Sequence, residues 1–140
     1  MDLNKFRIYH STLIEHYQFI EAHLEGIYAA ICEKPFSNGL EDVERDSMRH
    51  ILMEIQKTEK EKAIAVFSNK ERDKILRIIE RRNFWCHNCY YDMLFDRKRG
   101  GPKKEDDVKT MMADLREAEN LREELFSKKD RLLQKALCFR

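Results

Sequence analysis

The sequence predicts an all-α protein, an antiparallel four-helix bundle, and three observations carry that expectation. Glycine and proline are scarce, at 4 and 2 in 140 residues, so few positions oppose a helix. Charged residues make up 38% of the chain, and Leu, Ile, Lys, Glu and Arg recur at helical spacing. Apolar residues fall into stripes with three-, four- and seven-residue steps. The length suits one domain, residues 1–140, with room for a buried core.

The first helix is expected from about Leu3 to about Glu33. Phe6, Leu13, Ile20 and Ile27 recur every seven residues, with Tyr17, Leu24 and Ile31 beside them. Such a stripe needs a partner helix, in this chain or another. Pro35, Asn38 and Gly39 in KPFSNG predict the break that follows. A second helix is expected from about Leu40 to Lys60, facing inward with Val43, Met48, Ile51, Leu52 and Ile55. KAIAVF, 62–67, fits either more helix or an apolar connector. Ser68, with Glu71 three residues on, is a capping-box pattern that opens a third helix running to about Asp96. RKRGGPKK, 97–104, breaks it. From about Lys104 a fourth helix turns Val108, Met111, Leu115, Ala118, Leu125 and Leu132 inward. There is no internal repeat and no low-complexity segment.

The formal charge is +1, so a nucleic-acid partner must be held by a local patch rather than a global basic field. No apolar run approaches the roughly 20 residues of a membrane span, and no membrane partner is expected. MDLNKFRIYH lacks the basic-then-apolar pattern of a secretory signal. Cys32, Cys86, Cys89 and Cys138 then read as reduced thiols in a cytoplasmic protein.

ERRNFWCHNCYY, 80–91, departs from the simple pattern. Ile75, Ile79, Cys86, Tyr90 and Met93 keep to one stripe of the third helix, but the rung after Ile79 falls on Arg82 or Asn83. Burying a charge is costly unless it is paired, and such violations concentrate at functional sites. Asn83 and His87 are four apart and share a face, with Glu80 on nearly the same line. Arg82 and His87 are five apart, and on a regular helix they diverge by roughly 140°. Either the helix is distorted here or a site is assembled from two chains. The second option also accounts for Phe84, Trp85 and Phe95, which lie off the stripe and could then seal a helix–helix dimer contact.

Arg82-Asn83-Phe84-Trp85-Cys86-His87 resembles the R-N-x-x-x-H motif that marks the HEPN superfamily of all-helical domains. The resemblance implies a metal-independent endoribonuclease, a homodimer whose Arg and His meet in an interface cleft, acting in defence, toxin or stress-response settings. It makes Arg82 and His87 the catalytic residues, with Asn83 as polar support and Glu80, Tyr90 and Tyr91 alongside. RNA supplies its own nucleophile, the ribose 2′-hydroxyl, so the protein must add proton transfer and charge stabilisation at phosphorus. A histidine titrates near neutrality, and an arginine fork can hold two phosphate oxygens. No cofactor and no metal are called for. Many toxin members carry a tyrosine two residues after the histidine, which a paired nucleotidyltransferase antitoxin modifies. Here that position is Cys89, which counts against that particular class and leaves an antitoxin partner open.

Each of these residues also has a plainer reading. Arg82 can pair with Glu80 or with a carboxylate on another helix, and Asn83 can satisfy a buried backbone group. Arg97, Lys98, Arg99, Lys103 and Lys104 can guide RNA backbone towards the helix or simply answer Glu105, Asp106 and Asp107. Cys86, His87 and Cys89 offer one ligand pair on a helix, a poor match for zinc, and small buried cysteines account for them better. His16 and His23 border the first helix's stripe and are expected to pack there. The competing functional class is a non-catalytic helical module that binds RNA, nucleotide or protein through the same cleft. A zinc-stabilised helical adaptor is the third.

Overall fold

The computed structural model describes residues 3–87, 95–96, 101–102 and 106–138, with side chains described for 3–87 and 109–136. The fold is all-helical, and the described residues form five helices where four were expected: α1 (Leu3–Ile31), α2 (Phe36–Val43), α3 (Met48–Lys62), α4 (Asn69–Cys86) and α5 (Asp106–Cys138). Between α4 and α5, β1 (Phe95–Asp96) and β2 (Gly101–Pro102) form a two-residue antiparallel ladder, too short to alter the class. Among the described residues no helix is long and apolar enough to cross a membrane.

The seven-residue stripe of α1 is fully buried, from Phe6 through Leu13, Tyr17, Ile20, Leu24 and Ile27 to Ile31. Its main partner is α5 of the same chain. There Met111, Ala118, Leu121 and Leu125 are buried, and Leu115 and Leu132 pack at the edge of the core. The Val108 side chain lies outside the described residues.

The expected second helix is two helices. Pro35 stands just before α2, and Asn38 and Gly39 lie inside it rather than breaking the chain. Gly39 is there for contact: a Cβ on it would sit 2.7 Å from Cys32 Sγ and 2.9 Å from the Ala29 Cα. The hydrogen atom thus lets α2 cross α1 closely. After Val43 the chain turns, and Ser47 caps α3 by accepting the His50 N–H at 3.2 Å. Helix α3 ends at Lys62 with Ala63 in the left-handed conformation, φ 52°. The Lys62 ammonium donates to the Ile31 carbonyl at the end of α1.

The ambiguous KAIAVF segment is a connector held by one buried carboxylate. Glu59 Oε2 accepts the N–H groups of Val66 (2.9 Å) and Phe67 (3.3 Å), and its Oε1 accepts from Arg72 at 2.7 Å. Backbone donors that would otherwise be orphaned beside the buried Val66 and Phe67 are thereby satisfied. Ser68 and Glu71 form the complete capping box, at 3.1 and 3.0 Å.

Four ion pairs set α4 against α5: Glu71–Lys128 (2.6 Å), Lys74–Glu124 (3.0 Å), Arg77–Glu117 (2.5 Å) and Arg81–Asp114 (2.6 Å). Numbers rise on one helix as they fall on the other, so the two run antiparallel. Exposed rungs such as Arg77–Glu117 are worth about 0–1 kcal/mol each and act mainly on register. Arg81–Asp114 is the rung whose carboxylate is almost fully buried, at 11% exposure.

A second seam joins α1 to α5. Arg122 Nη1 donates to His16 Nδ1 at 3.2 Å, and Lys129 Nζ donates to His23 Nδ1 at 3.0 Å. The two bridges are seven residues apart on both helices, so α1 and α5 run parallel. Lys129 lies across Gly26, where a Cβ would meet its Cδ at 2.6 Å. A guanidinium or an ammonium can only donate, so Nδ1 is the acceptor in each bridge. His23 is buried between Phe19 and Phe126, as expected of the α1 stripe. Burial pushes its pKa down to about 4, and the Lys129 and Arg122 charges push the same way.

The unfolded chain takes up that proton near pH 6.5 and the folded chain only near pH 4. The stability tied to a neutral His23 is therefore complete above about pH 6.5 and is lost as the pH falls towards 4. Urea unfolding at pH 7 and pH 5 should show wild type losing about 2 kcal/mol more than His23→Gln over that interval. Equal losses would mean that His23 titrates alike in the folded and unfolded chain.

Candidate functional site

The motif lies on the last turn and a half of α4, and three helices converge on that turn. Ile75, Ile78, Ile79 and Trp85 are the residues α4 buries. Trp85 has no exposed surface, and its indole Nε1–H donates to Asp114 Oδ2 at 2.8 Å. The same oxygen accepts Arg81 Nε at 2.6 Å. Arg81 in turn lies over the rings of Phe84 (4.9 Å) and Trp85 (5.9 Å). From the other side, His10 Nε2–H on α1 donates to the Trp85 carbonyl at 2.8 Å. Tyr17 is buried nearby, and burial, reinforced by the Asp114 carboxylate, pushes its hydroxyl pKa far up.

Several sequence expectations are corrected here. The third helix ends at Cys86, ten residues before the expected Asp96. His87 is its C-cap, in extended backbone (φ −126°, ψ 122°), with its N–H donating to the Phe84 carbonyl at 3.3 Å. Glu80, Asn83 and His87 therefore do not share one helical line. Trp85 does not lie off the core as a dimer seal, since it is buried within its own chain. Phe84 packs beside it edge-on, at 5.0 Å between ring centroids. Cys86 is exposed rather than buried in the stripe, and Cys32 is half-buried.

The apolar face is not interrupted by a buried charge. Arg82 points along the side of α4 that faces α1, where its guanidinium lies 3.9 Å from Glu21 Oε2. The Arg82 side chain is 37% exposed and the Glu21 side chain 29%, so this is a loose pair in contact with water. Asn83, Glu80 and His87 are exposed. The plainer reading of Arg82, a carboxylate on another helix, describes its contact in this chain. Tyr90, Tyr91, Arg97, Lys98, Arg99, Lys103 and Lys104 lie outside the residues whose side chains are described, as do Phe95, Cys89 and Cys138.

Chemically, the turn presents one guanidinium in an exchangeable pair and one solvent-exposed imidazole just past a helix end. Among the described residues no three His, Cys, Asp or Glu side chains converge as a metal site. Sequence reasoning missed Asp114, Arg81 and His10. The available signal was Asp114 itself, a carboxylate three residues after Met111 and four before Ala118, on the inward line of the last helix. The chain matches no protein-family model, no curated protein and no solved structure.

Replacing Trp85 by Phe keeps most of the buried ring but leaves Asp114 with one donor. The expected cost is about 1–2 kcal/mol in urea unfolding, the same at every protein concentration because the indole is buried within one chain. A cost that grows on dilution would return Trp85 to a dimer interface.

Proposed function

We propose that this chain is a HEPN-like, metal-independent endoribonuclease of the cytoplasm, in which Arg82 and His87 act on the RNA phosphodiester. The observation that supports it best is where α4 stops. Helical phase would hold Arg82 and His87 roughly 140° apart, but it applies only through Cys86. His87 stands beyond it, in extended backbone, and is released from that constraint. The bundle's long helices, with α4 antiparallel to α5, are compatible with the four-helix layout of that superfamily.

In this reading His87 removes the proton from a ribose 2′-hydroxyl, whose oxygen attacks the adjacent phosphorus. The bond to the 5′-oxygen breaks, leaving a 2′,3′-cyclic phosphate and a 5′-hydroxyl, and a protonated histidine returns the proton to the leaving oxygen. Arg82 stabilises the charge that builds on the non-bridging oxygens. Its present partner does not stand in the way. A screened pair at 3.9 Å is worth about 0–1 kcal/mol, less than a charge-assisted, two-pronged grip on phosphate. Asn83, exposed one turn before His87, supplies a neutral donor to the same anion. A homodimer pairs two such sites, so that one chain's Arg82 works with its partner's histidine. The basic segment 97–104 guides the RNA backbone. Defence or stress response is the setting we assign to this activity.

Purified wild type should cleave a single-stranded or hairpin RNA in excess EDTA, and His87→Ala should lower the rate by about a hundredfold or more while leaving the helical content unchanged. Mixing Arg82→Ala with His87→Ala chains should restore part of the activity once heterodimers form. Undiminished cleavage by His87→Ala in a clean preparation removes the assignment. RNA binding with no cleavage by wild type points to a binding module instead.

A further inference from the structure

The Asp114 carboxylate comes from α5, yet both of its donors sit on the turn of α4 that carries the motif. Arg81 (2.6 Å) immediately precedes Arg82, and Trp85 (2.8 Å) lies two residues before His87. One oxygen thus holds two side chains of this turn, one immediately before Arg82 and one between Arg82 and His87. The His10 donor on the Trp85 carbonyl closes the turn against α1. A staple needed only for bundle stability could act at any rung of the α4–α5 ladder. The other three rungs are more open to solvent, and the buried, doubly bonded carboxylate is the one at the end where α4 must stop.

We propose that Asp114 is the positioning residue of the Arg82–His87 site, a role that rests on the ribonuclease reading above. With the carboxylate present, Arg81 is held on Phe84 and Trp85 and kept away from substrate, while Arg82 alone of the two remains exchangeable. The helix end, and with it the placement of His87, follows from Trp85 being fixed in the core.

The test uses Asp114→Asn in the full chain, with three readouts: helical content, the His87 imidazole resonances by NMR, and cleavage in excess EDTA of a mixed-sequence single strand and a hairpin RNA. Asparagine keeps the volume and one acceptor but removes the charge that holds Arg81. The expected result is unchanged helical content, a shifted His87 resonance, and kcat reduced about tenfold or more with KM changed less than about threefold. A purely structural role would reduce the amount of folded protein and leave kcat per folded molecule alone. An unmoved His87 resonance, or a kcat within about twofold of wild type, overturns the proposal. If Asp114→Asn does not fold, Trp85→Phe is measured in its place, and the same shift in His87 is required of it. If wild type cleaves neither RNA, the ribonuclease reading fails, and the His87 resonance still decides whether Asp114 sets the helix end.

Discussion

One buried carboxylate anchors the turn of α4 at which α1, α4 and α5 meet. Asp114 accepts from Arg81 and Trp85, and Trp85 in turn carries the bond from His10 on α1. The energetic weight lies in its burial. A solvent-exposed ion pair contributes little, whereas stripping one partner from a buried pair costs about 3–5 kcal/mol because the other charge is left unsatisfied. Asp114 at 11% exposure, holding two donors, belongs nearer the second case than the outer rungs do. The remaining ladder pairs set direction and register. The apolar stripes of α1 and α5 supply the bulk of the burial, and the Asp114 bond decides where along α5 the end of α4 must rest.

That constraint separates two arginines adjacent in sequence. Arg81 is consumed by the fold, stacked on Phe84 and Trp85 with its Nε on Asp114. Among the described residues Arg82 pairs with Glu21 at 3.9 Å, and it keeps contact with water. The proposed role at a phosphate asks for a guanidinium that can exchange its partner, and the loose pair with Glu21 fits that requirement. The imidazole next to it follows a similar division. His16 and His23 each accept a hydrogen bond from a cation on α5, and His10 is committed to a backbone carbonyl. His87 is the exposed histidine at the motif.

Much of this fold was legible because its signals are local. The α1 stripe, with its seven-residue repeat of large apolar residues, needed no knowledge of its partner to be read as a buried face. The Ser68–Glu71 box is complete within four residues. Three features were not legible, each for a different reason. Gly39 looks like a breaker in sequence, but its role is to admit Ala29 and Cys32 at close range. Ser47 caps α3 without an acid three residues on, so its signal is half of the usual box. The end of α4 is masked by Tyr90 and Met93, which continue the apolar phase beyond it. Trp85 seemed to lie off the stripe because the partner for its indole is 29 residues away on another helix. For the candidate site, residue types and spacing were readable, but which arginine is free depends on Asp114 and Glu21, which no spacing within the motif reveals.

The central claim is that Arg82 and His87 perform transesterification at RNA. It is tested most directly by comparing, in excess EDTA, one RNA strand with the same strand 2′-O-methylated throughout, and by determining the chemistry of any new ends. Cleavage of the unmodified strand alone, giving 2′,3′-cyclic phosphate and 5′-hydroxyl ends, is the predicted result. Cleavage of the methylated strand, or products ending in a 3′-hydroxyl, would contradict it, because neither can arise from attack by a ribose 2′-oxygen.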